Sequence, residues 1–123
     1  MNKSKSKAES RKQLTKKYIK DNLEEILLEM SNKGPIHGYE IIRTFKKAGA
    51  FFSPSEIYPA LWQLEKEGYL RSEKQYPDEG KPKRVYYPVP KTHERLEEIK
   101  NVKSRLSITI NIPPSIEVKS SIS

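Results

Sequence analysis

Glycine and proline divide the middle of this chain into short pieces: Gly34-Pro35, Gly49, Gly68, the Pro77 to Pro82 run around Gly80, and Pro90 each interrupt a patterned segment. Glycine accepts backbone conformations that end helices, and proline cannot continue a hydrogen-bond ladder. A long coiled helix and a broad sheet are both excluded. The chain must fold from several short elements around one small core.

The pieces carry distinct periods. Ile19, Leu23, Ile26, Leu27 and Met30 recur at helical spacing, with Lys20, Glu24, Glu25 and Glu29 opposite, so an amphipathic helix ends at Gly34-Pro35. A second helix, roughly 37–47, buries Tyr39, Ile42 and Phe45 or their neighbours Ile41 and Phe52, and stops at Gly49. Ser53-Pro54-Ser55-Glu56 then spells a capping box with proline at the first helical position. In the helix that follows, Ile57, Ala60, Leu61 and Leu64 form the buried face, while Ser55, Pro59, Trp62, Gln63 and Lys66 face away. Gly68 closes it.

Residues 69–76 and 83–89 read as two strands joined by turn residues. Three helices and a hairpin give the expected fold class: mainly α with a small β-hairpin, a winged helix-turn-helix in the order α-α-α-β-β. Residues 1–14 are expected to be a basic flexible leader, 15–90 the winged-helix domain, and 91–123 a short helix and tail that could serve dimerisation. Within that tail, 92–105 is helical in pattern, with Leu96, Ile99 and Val102 as a thin apolar stripe. Residues 106–112 alternate strictly before Pro113-Pro114, which leaves one or two short strands and an unordered tail as alternatives.

Charge narrows the class of partner. The net charge is +8, and residues 1–20 hold eight Lys or Arg against Glu9, so +7 of it sits in the first twenty residues. Such a leader either follows phosphates or simply keeps the chain solvated. There is no cysteine, and His37 and His93 are the two histidines, so disulfides and thiolate zinc sites are excluded and no metal or cofactor is expected. With no phosphate-binding glycine loop and no converging carboxylate pair, an enzyme is not expected either. The leader lacks the apolar stretch of a signal peptide and no run is long enough to span a membrane, which points to a cytoplasmic, DNA-associated protein.

Taken together, Gly34-Pro35-Ile36-His37-Gly38-Tyr39-Glu40, Ser53-Pro54, Ile57-Tyr58-Pro59, Leu61, Leu64-Glu65, Gly68-Tyr69-Leu70, Lys83-Arg84 and Tyr86-Tyr87 resemble the PadR-like transcriptional regulators. The resemblance covers about residues 23–87. It implies a homodimeric winged helix that binds double-stranded DNA, commonly as a repressor, with a carboxy-terminal helix for dimerisation. Three features depart from the family pattern. Ser55-Glu56 replaces Gly-Thr, Trp62-Gln63 stands where basic residues are common, and Val89-Pro90 replaces Leu-Thr before a shortened terminal helix. Dimerisation is therefore assigned to the first helix and its extension, packed with the 92–105 segment. The family also senses small aromatic effectors at the dimer interface, and the shortened helix argues against one here.

In a winged helix the third helix enters the major groove and the wing follows the backbone. The expected DNA-binding residues are Tyr39, Ser53, Ser55, Glu56, Tyr58, Pro59, Gln63, Lys66, Lys81, Lys83 and Arg84. Gln63 suits adenine and Glu56 a cytosine amino group, although Glu56 is first of all a cap. Lys81, Lys83 and Arg84 would position the protein on phosphates without reading sequence. The family pattern lets the Tyr39 and Tyr58 hydroxyls face phosphate while their rings pack in the core. Trp62 either contacts sugar and backbone or plugs against the wing, and a large exposed aromatic being unusual favours the plug. The competing function is a winged helix for protein docking or RNA binding, since fold does not fix function.

Overall fold

The computed structural model describes residues 7–110. Five helices and one hairpin follow in the order α1 (Lys7–Asp21), α2 (Leu23–Lys33), α3 (Gly38–Lys47), α4 (Pro54–Lys66), β1 (Leu70–Gln75), β2 (Lys83–Pro88) and α5 (Pro90–Thr109). The expected α-α-α-β-β order is present as α2 to β2, flanked by a helix on each side. Among the described residues no helix is long and apolar enough to cross a membrane.

The core forms where the apolar stripes of α2, α3 and α4 meet. Leu27, Leu28, Ile41, Ile57 and Leu61 are fully buried there, with Phe45, Phe52, Leu64, Leu70 and Tyr86 around them. The Phe45 and Phe52 rings pack 5.1 Å apart at 54°, a tilted arrangement that satisfies their opposed edge and face charges. Of the alternatives open for α3, the structure selects Ile41, Phe45 and Phe52, with Ile42 partly buried.

The stops work as the punctuation predicts at two positions. Gly49 and Gly68 take φ values of 93° and 84°, the left-handed region that side chains with a Cβ resist. Gly34 differs, since its φ of 161° is extended backbone open to any residue. What ends α2 is Pro35, whose ring disfavours helical backbone in the residue before it.

β1 and β2 pair antiparallel with Leu70 opposite Pro88 and Gln75 opposite Lys83. Ile36 adds one bridge on the outer edge of β2, its amide donating to the Tyr86 carbonyl at 3.0 Å and its carbonyl accepting from the Tyr86 amide at 2.7 Å. The wing is thereby fixed to the turn before α3. Sequence pattern could not show this bridge, because a single paired residue leaves no alternation to read.

Both flanks correct the sequence reading. Residues 7–14, read as part of a flexible leader, form the first half of α1. Their Lys, Arg, Gln, Glu, Leu and Ala content favours helix even without an apolar stripe. Residues 106–109, read as strand or unordered tail, continue α5. Extending an existing helix adds one hydrogen bond per residue fixed, whereas a strand here would need a free sheet edge. The rest of that alternating segment, from residue 111, lies outside the described residues.

α5 begins at a defined point. The buried Thr92 hydroxyl donates to the Tyr69 carbonyl and accepts from the Val89 amide at 2.9 Å, tying the helix start to the entry of β1. Further along, Arg95 pairs with Glu24 at 2.7 Å and Lys103 with Glu25, so the 92–105 segment packs on α2 of its own chain. The stripe residues Leu96 and Ile99 are partly covered there.

Candidate nucleic-acid interface

α4 presents two separate faces. Ile57, Leu61 and Leu64 go inward, and Ser55, Pro59, Trp62 and Lys66, at steps of three or four residues, form one exposed row. At its start Glu56 accepts the Ser53 amide at 2.9 Å, the Ser53 and Ser55 hydroxyls lie 2.9 Å apart, and Lys16 of α1 approaches the Glu56 carboxylate to 3.4 Å. The bond from Ser53 foremost, opposed by partial burial and aided by Lys16, holds the Glu56 carboxyl below its usual range. Glu56 is therefore occupied as a cap and ion-pair partner. Pro59 lies inside α4 and brings no amide, so the exposed Ser55 carbonyl receives no ladder bond from it.

Trp62 is not a plug. It is 57% exposed, with the Lys66 ammonium 5.0 Å over its ring. Together with Glu65, Lys66, Arg84 and Tyr86 it lines an open cleft of about 460 Å³ between α4 and β2. Burial keeps the Tyr86 hydroxyl protonated, raising its pKa, with Glu65 adding to the effect and Arg84 opposing it. Arg84 donates to the Ser72 hydroxyl at 2.9 Å, and Ser72 in turn donates to Glu65 at 2.6 Å. That chain aims a guanidinium at the cleft without cancelling its charge directly.

Other expected residues are arranged around this centre. Gln63 is exposed on the flank of the row, where its amide donates to Glu67 at 2.8 Å, a surface bond that an incoming acceptor can replace. Lys81 stands in the exposed turn of the wing and Lys83 at the start of β2. Tyr39 departs from the expectation that its ring packs in the core, being 62% exposed under the Arg43 guanidinium. It begins the first turn of α3, on the side away from Ile41. Tyr58 is half-exposed, and its ring occupies the space that a Cβ on Gly38 would fill, 2.4 Å from Tyr58 Cε1. Gly38 is thus the residue that seats Tyr58 between α3 and α4.

Sequence reasoning missed the neighbourhood of α1. Lys16 touches Glu56 and lies 5.0 Å over the Phe52 ring, and Lys12 lies beside Gly49. No local pattern announces a contact between residues forty positions apart.

His37, just before α3, gives the site a pH-sensitive neighbour. Burial first, then the charge of Lys83, lowers its pKa below the ordinary value, and Glu40 opposes them. The folded state therefore favours neutral imidazole. That contribution to stability is complete above the unfolded value of about 6.5 and is lost as pH falls through the lower folded value, where the unfolded chain binds more protons. Urea midpoints measured from about pH 7 to 5 should fall more steeply for the native chain than for His37→Gln. Equal slopes would remove this role.

The model of the transcriptional regulator PadR-like family matches residues 26–98, more than half of the chain. The chain belongs to the PadR-like family. Its matched span runs from α2 into α5 and so contains the whole exposed row of α4 and the wing. A PadR-like regulator from Bacillus cereus is 29% identical, covering 77% of this chain and 93% of its own, with a TM-score of 0.61. The smu.1704 protein of Streptococcus mutans is 30% identical over 72% of this chain and 81% of its own, with a TM-score of 0.57. PadR from Bacillus subtilis, solved with operator DNA, is 25% identical over 62% of this chain and 44% of its own, with a TM-score of 0.56. A comparison with curated proteins found none that matches. α1 of this PadR-like chain lies outside the matched span and owes its description to the structure alone.

Proposed function

We propose that this PadR-like protein is a sequence-specific double-stranded DNA-binding regulator that acts as a homodimer and represses transcription in the cytoplasm. The observation that carries it is the exposed α4 row ending beside a cationic wing, in a family of transcriptional regulators with one member solved on operator DNA. Ser53, Ser55, Pro59 and Gln63 face base edges, with Trp62 beside them. Lys66, Lys81, Lys83, Arg84 and the Tyr39 and Tyr58 hydroxyls contact phosphate. Glu56 organises the helix start. Residues 15–90 act as the DNA-binding unit, and the helix that follows serves dimerisation. No reaction, metal or small-molecule effector enters this reading.

Dimerisation is supported by apolar side chains that, among the described residues, are exposed on the first and last helices. Leu14 and Tyr18 on α1 and Val102, Leu106 and Ile108 on α5 are exposed, and Tyr18 lies close enough to Lys103 to act on its ammonium. A two-fold dimer places two α4 helices about one helical turn of DNA apart. The test is footprinting of the purified protein on duplex from its own upstream region, with random duplex as competitor and salt varied. Two protected half-sites and affinity that falls steeply with salt support the proposal. Equal affinity for every duplex, or none, would replace it with a protein-docking or RNA-binding role.

A further inference from the structure

α1 carries two unlike surfaces. At 100° per residue, Lys12, Lys16 and Lys20 follow one another at intervals of four along one side, while Lys7, Arg11, Leu14 and Tyr18 fall on the opposite side. The lysine side is the one turned toward the recognition helix. Lys16 reaches Glu56 at 3.4 Å and the Phe52 ring at 5.0 Å, and the Lys12 Cγ lies 3.4 Å from where a Cβ on Gly49 would sit. The start of α1's basic row therefore adjoins the turn that leads into α4.

That placement decides what the row can meet. The amino-terminal end of a recognition helix lies against base edges, so whatever adjoins it faces the phosphates that wall the groove. From Lys12 to Lys20 the helix rises about 12 Å, or about three to four phosphate steps of one strand measured along the duplex axis at about 3.4 Å each. Glu56 at this position would repel DNA, and Lys16 offsets its charge. The wing occupies the other end of α4, where Arg84 and Lys66 meet, so α1 extends the cationic surface in a different direction.

We propose that α1 is a second DNA-contacting element, whose Lys12, Lys16 and Lys20 hold the duplex backbone flanking the segment read by α4. This rests on the DNA-binding reading above. It assigns the basic charge of α1 a location and a task. Lys7 and Arg11 carry the same charge on the far side of α1, so what distinguishes the lysine row is its place beside the turn into α4.

The test compares Lys12→Ala/Lys20→Ala with Lys7→Ala/Arg11→Ala, which removes the same charge from the opposite side. Lys16 is left in place because of its bond to Glu56. Alanine is the strongest helix former, so both variants keep α1, and circular dichroism checks this. Affinity is measured against salt on an operator duplex with long flanks and on one trimmed to the protected core. On the long duplex, Lys12→Ala/Lys20→Ala should bind about tenfold or more weakly, and its log–log salt slope should shrink by about 1.8 per bound protomer. On the trimmed duplex, native chain and variant should bind alike, and the control should keep the native slope throughout. An unchanged slope for Lys12→Ala/Lys20→Ala, or an equal loss in the control, overturns the proposal while leaving the DNA-binding reading intact. A native chain that binds no duplex at all overturns both.

Discussion

Leu61→Ala is expected to lower the unfolding free energy by about 2–5 kcal/mol. Leu61 is fully buried on α4, beside Ile57 and Leu64 and within the cluster that includes Ile41 and Leu27. Truncation removes the transfer free energy of the lost carbons and leaves a cavity that its close-packed neighbours fill incompletely. Small domains have only about 5–15 kcal/mol of stability, so the loss should appear as a large drop in the urea midpoint and in Tm. The paired measurement is DNA affinity at a temperature where the variant is still folded, which should be close to native because Leu61 reaches no exposed surface. A cost below about 1 kcal/mol would mean that α4 is not anchored through this face.

Lys83→Ala/Arg84→Ala should weaken binding to the operator about 10- to 100-fold for each wing engaged, near physiological salt. The estimate comes from counterion release: two lost phosphate contacts reduce the log–log salt slope by about 1.8, and the affinity difference narrows as salt rises. Sequence preference should change little, since these side chains are assigned to backbone positioning. Arg84 should account for the larger share, because its bond to Ser72 holds the guanidinium beside Trp62 and Lys66. If the double variant kept native affinity and slope, the cleft between α4 and the wing would not face DNA.

Much of this architecture can be read from the sequence, and the reasons are local. Ser53 and Glu56 mark the start of α4 because a capping box satisfies its own amides within four residues. Gly49 and Gly68 mark ends because the backbone there is left-handed. The two strands of the wing are marked by the turn residues between them, whereas their register is not, because burial along them does not alternate. What escaped prediction depends on neighbours distant in sequence. Trp62 stays in solvent because the wing approaches α4 through Arg84 and Tyr86 and leaves a cleft where a plug would fit. Tyr39 faces outward because Ile41 and Phe45 already fill the inward side of α3. α1 and the end of α5 are helices with weak apolar periodicity, so their hydrophobic pattern gave little notice of them.

The separation of the two faces of α4 affects how a lineage of such proteins can diversify. Positions 55, 59, 62 and 66 are exposed while Ile57, Leu61 and Leu64 are buried, and exposed substitutions usually change stability by less than about 0.5 kcal/mol. Recognition can therefore drift one residue at a time while folding remains under separate selection. The serine, tryptophan and lysine now on that row are then marks of one chain's history with its operator, replaceable without rebuilding the scaffold beneath them.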